Sequence, residues 1–170
     1  MSNPAVSPKN RLKNPATIVP EAMAPLQALG QVLGQAKGDS GRTLSLAMMR
    51  ASQLNGCAMC LNWQGARQAG ETDERLFALS VWRESTVFSA PERAALALAE
   101  SMTRLSDRPD PVPDSVWEEV ARHFHERDLA LLVLGISTIN LYNRINVTTH
   151  QVAQEWDASA AKEWSARNKD

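Results

Sequence analysis

The chain has 170 residues and a mass of 18.7 kDa, with 44% hydrophobic and 22% charged residues, the proportions of one globular domain with tails. A net charge of -1 and a pI near 6.3 exclude a broad nucleic-acid or anionic-membrane surface. Aromatics are scarce, with five Trp, three Phe and one Tyr, and runs of Val, Ile and Thr are few, which argues against an all-β fold.

Residues 1–19, with Pro4, Pro8 and Pro15, read as an extended polar arm without the apolar core of a signal peptide. After Pro20 a helical pattern places Leu26, Leu29, Leu33 and Ala36 on one face, and Gly38-Asp39-Ser40-Gly41 is expected to stop it. A second helix carries Leu44, Met48, Ala51 and Leu54, and Asn55-Gly56 ends or kinks it. The third is expected to start at or just before Cys57 and run to Gly70. Thr72-Asp73 opens the fourth, with Leu76, Leu79 and Arg83 at turn spacing. Ser89-Ala90-Pro91-Glu92 is a capping box with proline in the first turn of the fifth, whose stripe is Ala95, Leu98, Met102 and Leu105. After a proline-rich loop, Asp114 is expected to cap a sixth helix with Val116, Val120 and Phe124 inward. The seventh, about Arg127 to Asn143, is apolar nearly all round, as in a bundle centre or subunit interface. Val152, Trp156, Ala160 and Trp164 predict a last helix within 151–170. The expected fold is therefore all-α, seven to eight helices, with residues 20–150 as the helical domain. The stretch Leu129–Tyr142 is too short and mixed to span a bilayer, so a soluble, cytoplasmic protein is expected.

The two cysteines form a C-A-M-C pair, Cys57 and Cys60, which cannot staple a secreted fold and in a reducing compartment points to redox chemistry or metal binding. On one helix the two sulfurs would lie a turn apart, within reach of a disulfide. A helix N-terminus at Cys57 would favour its thiolate. One thiol attacks and becomes a sulfenic acid; the other resolves it. Zinc needs four ligands. His123, His125 and His150 are the histidines available, and His-x-His on a helix points its two rings apart, so no metal is expected. Two inert core cysteines are the plain structural alternative.

The segments ASQLNGCAMC (Ala51–Cys60), ARQAGETDERLFALSVWRES (Ala66–Ser85) and FSAPERAALALAESMTRLS (Phe88–Ser106), in that order, resemble the carboxymuconolactone decarboxylase superfamily, and within it the alkylhydroperoxidase D-like branch. RLKNPATIVPEAMAPLQAL (Arg11–Leu29), VPDSVWEEVARHF (Val112–Phe124) and LVLGISTINLYNRINV (Leu132–Val147) extend the resemblance over most of the chain. It implies a helical protomer assembling into trimers or hexamers, with no cofactor. It further implies a peroxidase that reduces organic hydroperoxides with electrons from a dithiol protein. In the family the second cysteine, here Cys60, attacks and the first, here Cys57, resolves, whereas helix electrostatics alone would favour Cys57.

The family's proton relay places a Glu twelve residues before the first cysteine and a His four after the second; here those positions hold Ser45 and Gln64. The stretch Cys60–Arg67 is also shorter than the family's usual one. A thiol at the reference pKa of about 8.5 is still a few per cent thiolate at neutral pH, so slow thiol chemistry survives the loss. Trp63, Gln64, Ser45, Trp82 and Asn140 are candidate pocket or supporting residues. Trp82 reads first as a helix-end Trp packed on a neighbour and only second as a pocket residue, and Asn140, with Asn143 and Arg144, as a buried polar group near the cysteines or at a subunit contact. A helical binding or scaffold protein with a vestigial CxxC is the alternative from another class; a lactone decarboxylase, whose branch does not use the pair, is a third. His123 and His125, without carboxylates at fixed spacing, read as surface residues.

Overall fold

The computed structural model describes residues 10–61, 63–68 and 70–152, and the side chains of Trp63 and Gln64 lie outside that description. The described residues hold eight α-helices and no strand: α1 (Pro15–Ile18), α2 (Met23–Leu33), α3 (Gly38–Leu54), α4 (Trp63–Gln68), α5 (Asp73–Ala78), α6 (Ala90–Thr103), α7 (Asp114–His123) and α8 (Glu126–Thr149). The all-α expectation holds. Among the described residues no helix is long and apolar enough to cross a membrane.

α3 is the central element, packed along α6 and α8, while α7 closes over α6 and α2 over α8. Small side chains allow these close approaches. Ala47, Ala94, Ala95 and Ala99 interleave with Leu44, Leu98, Val120, Leu132 and Ile136 in one core cluster. Gly135 lies where any Cβ would run into the Leu44 side chain, so α3 and α8 meet almost backbone to side chain. A second cluster joins Leu46, Met49, Ala66, Leu76, Leu79, Trp82, Phe88 and Leu96. α8 buries the face carrying Leu131, Leu132, Ile136, Ile139 and Asn143 but leaves Leu134, Leu141 and Val147 exposed, so its all-round apolar sequence is only partly covered within the chain.

The expected boundaries shift in several places: α5 stops at Ala78, short of Leu79 and Arg83, and α6 at Thr103, short of the exposed Leu105. The arm is not extended throughout, because Asn14 caps Pro15 and its Oδ1 accepts the Ala16 N–H at 3.0 Å, starting α1. Gly38-Asp39-Ser40-Gly41 opens α3 instead of ending α2, which stops at Gly34. Asp114 stands inside the first turn of α7, where its charge suits the helix dipole, and Pro113 precedes it as the cap. α8 runs on to Thr149 and ends on left-handed His150 (φ 54°). The helix expected from Cys57 to Gly70 is broken, as described below. The capping box of α6 is as expected: the Glu92 carboxylate accepts from the Ser89 N–H at 2.8 Å and hydroxyl at 3.0 Å. The last helix expected within 151–170 lies outside the described residues beyond Val152. At the start of the described chain, Arg11 N–H donates to Thr149 O at 2.9 Å and Gln151 Nε2 to Leu12 O at 2.8 Å, tying that segment to the end of α8.

Candidate functional site

α3 delivers the chain to the cysteines through a tight reversal. Gly56 has φ +65°, a conformation that favours glycine, and Cys57 N–H then bonds back to Ser52 O at 3.0 Å. Cys57 itself is non-helical (φ -89°, ψ 89°), so one 3-10 turn, Ala58–Cys60, follows where a long helix was expected, and α4 starts only at Trp63. The consequence is electrostatic: a three-residue turn lacks the aligned dipoles that would acidify Cys57. The same turn explains the pairing, because positions i and i+3 eclipse at three residues per turn. Cys57 and Cys60 are joined as a disulfide with Cα atoms 5.4 Å apart.

The two sulfurs differ in surroundings. Cys57 is 2% exposed, whereas Cys60 is half-buried and forms part of the wall of a cavity of about 420 Å³. α2 contributes Gly30, Leu33 and Gly34 to that wall; α3 contributes Leu44, Ser45, Met48 and Met49; α4 contributes Ala66; α8 contributes Thr138, Ile139 and Tyr142. No charged side chain is among these lining residues. Besides Cys60 itself, Tyr142 is their titratable member; burial pushes its pKa up, and its hydroxyl donates to Leu26 O at 3.2 Å.

The reversal is pinned by carboxamides. Asn55 Nδ2 donates to Asn140 Oδ1 at 2.9 Å and to Asn143 Oδ1 at 2.8 Å, and Asn143 Nδ2 donates to Ser52 Oγ at 3.1 Å. Asn140 also donates to Thr103 Oγ1 at 3.1 Å and Ile136 O at 2.9 Å. One turn on, Asn146 Nδ2 lies 3.4 Å from Cys60 Sγ and 4.0 Å from Cys57 Sγ.

Of the sequence candidates, Cys57, Cys60 and Ser45 come together, and Asn140 supports them from α8. Trp82 does not line the cavity. It is buried in the second cluster, donates its Nε1–H to Glu100 at 2.9 Å, and carries Arg83 and Arg93 over its ring at 4.2 and 5.4 Å. His123 and His125 are exposed, but His123 has a carboxylate neighbour after all, with Nε2 3.0 Å from Glu119 Oε1 one helical turn back. Among the described residues no group of three or more His, Cys, Asp or Glu could hold a metal ion. Sequence reasoning passed over Asn55, Asn146 and Tyr142. The available signal was the spacing of Asn140, Asn143 and Asn146, one carboxamide every third residue on an otherwise apolar helix.

Comparison with known proteins places this architecture. Residues 20–101 match the model of the carboxymuconolactone decarboxylase family. The uncharacterized protein YdfG of Bacillus subtilis is 39% identical over 107 residues, covering 62% of this chain and 71% of that protein. The crystal structure of an Agrobacterium tumefaciens protein of unknown function, suggested to be the antioxidant defence protein AhpD, is 32% identical with a TM-score of 0.76, covering 85% of this chain and 97% of that one. The debrominase Bmp8, crystallised with 2,3,4-tribromopyrrole, shares the fold alone, at 17% identity and a TM-score of 0.72 over 95% of this chain and 98% of its own. The cysteine reversal, the helical order around it and these likenesses agree: the chain belongs to the carboxymuconolactone decarboxylase family, in its AhpD-like branch.

Proposed function

We propose that this chain is a cysteine-dependent hydroperoxide reductase whose rate is limited by the absence of the family's Glu/His relay. The observation that carries the reading is the asymmetry of the pair: Cys60 opens on a 420 Å³ apolar cavity while Cys57 stands buried behind it. A thiolate is costly in the buried place and tolerable at the cavity wall, which supports Cys60 as the attacking group. The Cys60 thiolate attacks the terminal peroxide oxygen, the O–O bond breaks, and the alkoxide leaves and takes a proton from water. The sulfenic acid then condenses with the Cys57 thiol, releasing water and forming the disulfide. A dithiol protein returns the two electrons by exchange. The cavity lining suits uncharged organic hydroperoxides. A homo-oligomer, trimer or hexamer, and a reducing cytoplasm complete the proposal.

Ser45 stands on the cavity wall where the relay would need a carboxylate. General-base assistance is worth about 10²–10⁴-fold, and its loss leaves a rate that follows thiol ionisation. The test is consumption of cumene hydroperoxide by the reduced protein between about pH 6 and pH 9, bracketing the reference thiol pKa. Slow turnover that climbs with pH, lost in Cys60→Ser, is expected. In Cys57→Ser, a trappable sulfenic acid is expected in place of the disulfide. Thiols indifferent to peroxide would instead make the chain a helical binding or scaffold protein.

A further inference from the structure

Asn146 has no part in the relay that the family resemblance implies, yet its side chain lies against both sulfurs. Its Nδ2 is 3.4 Å from Cys60 Sγ, closer than the 4.0 Å to Cys57, so the amide favours the sulfur that faces the cavity. Its place is fixed from both sides. Upstream on the same face of α8, Asn140 and Asn143 hold the Asn55 reversal; downstream, the Asn146 carbonyl accepts the Gln151 N–H at 2.9 Å where the helix ends. The titratable and charged groups of the other walls do not duplicate it. Among the described lining residues α2, α3 and α4 offer no ionisable side chain; on α8, Tyr142 directs its proton to Leu26 O and Arg144 donates to Asn140 O and Oδ1 at 3.0 and 3.2 Å.

We infer that Asn146 is a catalytic residue of this site, its carboxamide donating a hydrogen bond to the Cys60 thiolate. The inference rests on the assignment of Cys60 as the attacking thiol. A carboxamide donates at every pH near neutrality and neither takes up nor releases a proton. It therefore stabilises the thiolate before attack without being a base, and the proton of the thiol leaves to water. A donor to an ionised acceptor makes the stronger kind of hydrogen bond, so the contact strengthens when the disulfide is reduced and Cys60 ionises. The site thus replaces a relay that moves a proton with a fixed dipole that tolerates the charge.

The experiment is alkylation of the reduced protein by iodoacetamide across about pH 6 to pH 10, a range bracketing the reference thiol pKa, with Cys60 followed by peptide mass. Unmodified protein is compared with Asn146→Ala and Asn146→Asp, each checked for helical content. Asn146→Ala is expected to move the Cys60 midpoint up by about one pH unit, a roughly tenfold smaller thiolate fraction at neutral pH. A more basic thiolate is also a better nucleophile, with a Brønsted slope of about 0.4–0.5, so the alkaline plateau should rise about threefold while the neutral rate falls about threefold. The two profiles should cross. Asn146→Asp, which keeps the shape and turns the donor into an anion, should shift the midpoint further and serves if the alanine variant does not fold. Superimposable profiles, or a uniform fall at all pH values without a shift, would overturn the assignment. If the midpoint shifts but the unmodified protein does not consume cumene hydroperoxide, the peroxidase reading fails and the role of Asn146 in holding the thiolate stands.

Discussion

Around Glu100, on α6, Arg50 Nε donates at 2.7 Å, Trp82 Nε1 at 2.9 Å and Arg83 from the surface side, so one buried carboxylate gathers two guanidiniums and an indole. Around Cys60, just past the C-terminus of α3, the described lining residues carry no charged side chain and a carboxamide contacts the sulfur. The ion-rich region continues through Arg75, which bonds Glu71 at 2.7 Å and Glu92 at 2.5 Å and stacks on Phe88. The contrast separates two uses of buried polarity. Charge pairs fix the α5–α6 corner rigidly, whereas the cysteine reversal is held by neutral amides with one cation behind them, Arg144, which donates to Asn140 Oδ1 at 3.2 Å, and no anion there would oppose a thiolate. In the site half, Tyr142, the ionisable lining residue besides Cys60 itself, is kept a neutral phenol by burial.

The sharpest way to break this comparison is Glu100→Ala. It strands Arg50, whose side chain is 13% exposed, and the Trp82 indole without their acceptor. Losing one partner of a buried pair costs about 3–5 kcal/mol, read by urea unfolding, and Glu100→Gln should lose less because an acceptor of the same shape remains. A loss below about 1 kcal/mol in Glu100→Ala would mean the cluster behaves as a surface ion pair. Next in size is Asn140→Ala, which leaves Thr103, one bond of Asn55 and one bond of Arg144 unmet. About 1–3 kcal/mol is expected, together with faster alkylation of Cys57 as its reversal loosens. Unchanged Cys57 reactivity would show that Asn143 alone holds the turn.

Acid separates the halves a third way. Burial pushes the Glu100 carboxyl up, but hydrogen bonds from Trp82, Arg83 and Arg50 outweigh it and hold the group below the usual carboxylate range. At Glu92 burial is likewise overcome, by the Ser89 N–H and Arg75. A folded pKa below the unfolded one means the unfolded chain binds more protons. The stabilisation is therefore complete above the unfolded value and is lost as pH falls through the folded ones. Urea midpoints should fall below about pH 4.5, the ordinary carboxylate range, and Glu100→Gln should flatten that fall. An unaltered slope in Glu100→Gln would place the acid sensitivity elsewhere.

What was legible in the sequence follows the same division. Periodicity and the Ser89–Glu92 box gave α6, because local pattern alone determines it, whereas the apolar residues on every side of α8 are buried on one face only, with Leu134, Leu141 and Val147 exposed. The Cys57 break was not legible. Its cause is a bond to Ser52 and a left-handed Gly56, which Asn55-Gly56 signalled only as an end or a kink. Once the helix after Cys57 is shortened to one turn, its dipole ceases to favour that thiol, and burial becomes the stronger guide to the attacking group. Asn146 was not legible because a pair separated by 86 residues leaves no local trace; its register with Asn140 and Asn143 is the one local sign of it. Trp82 could not be assigned because its partner, Glu100, stands 18 residues away on another helix.

The smallest expected effect tests the neutral half directly. Ser45→Glu restores a carboxyl where the family keeps one, on an α3 position that lines the cavity with Cys60. To help, that carboxylate would have to take the thiol proton and pass it on. Asn146, the side chain against Cys60 Sγ, donates but cannot accept a proton at neutral pH. The apolar wall would also push the new carboxyl towards its neutral form, and any charge it kept would disfavour the thiolate beside it. Peroxide consumption should therefore stay within about twofold of the unmodified protein, far short of the roughly 10²–10⁴-fold of general-base catalysis, and should keep its rise with pH. A gain of that larger size with a flat profile would show that a carboxylate on α3 serves Cys60 directly. The division between a charged scaffold and an uncharged site would then be an accident of this sequence and not a requirement of its chemistry.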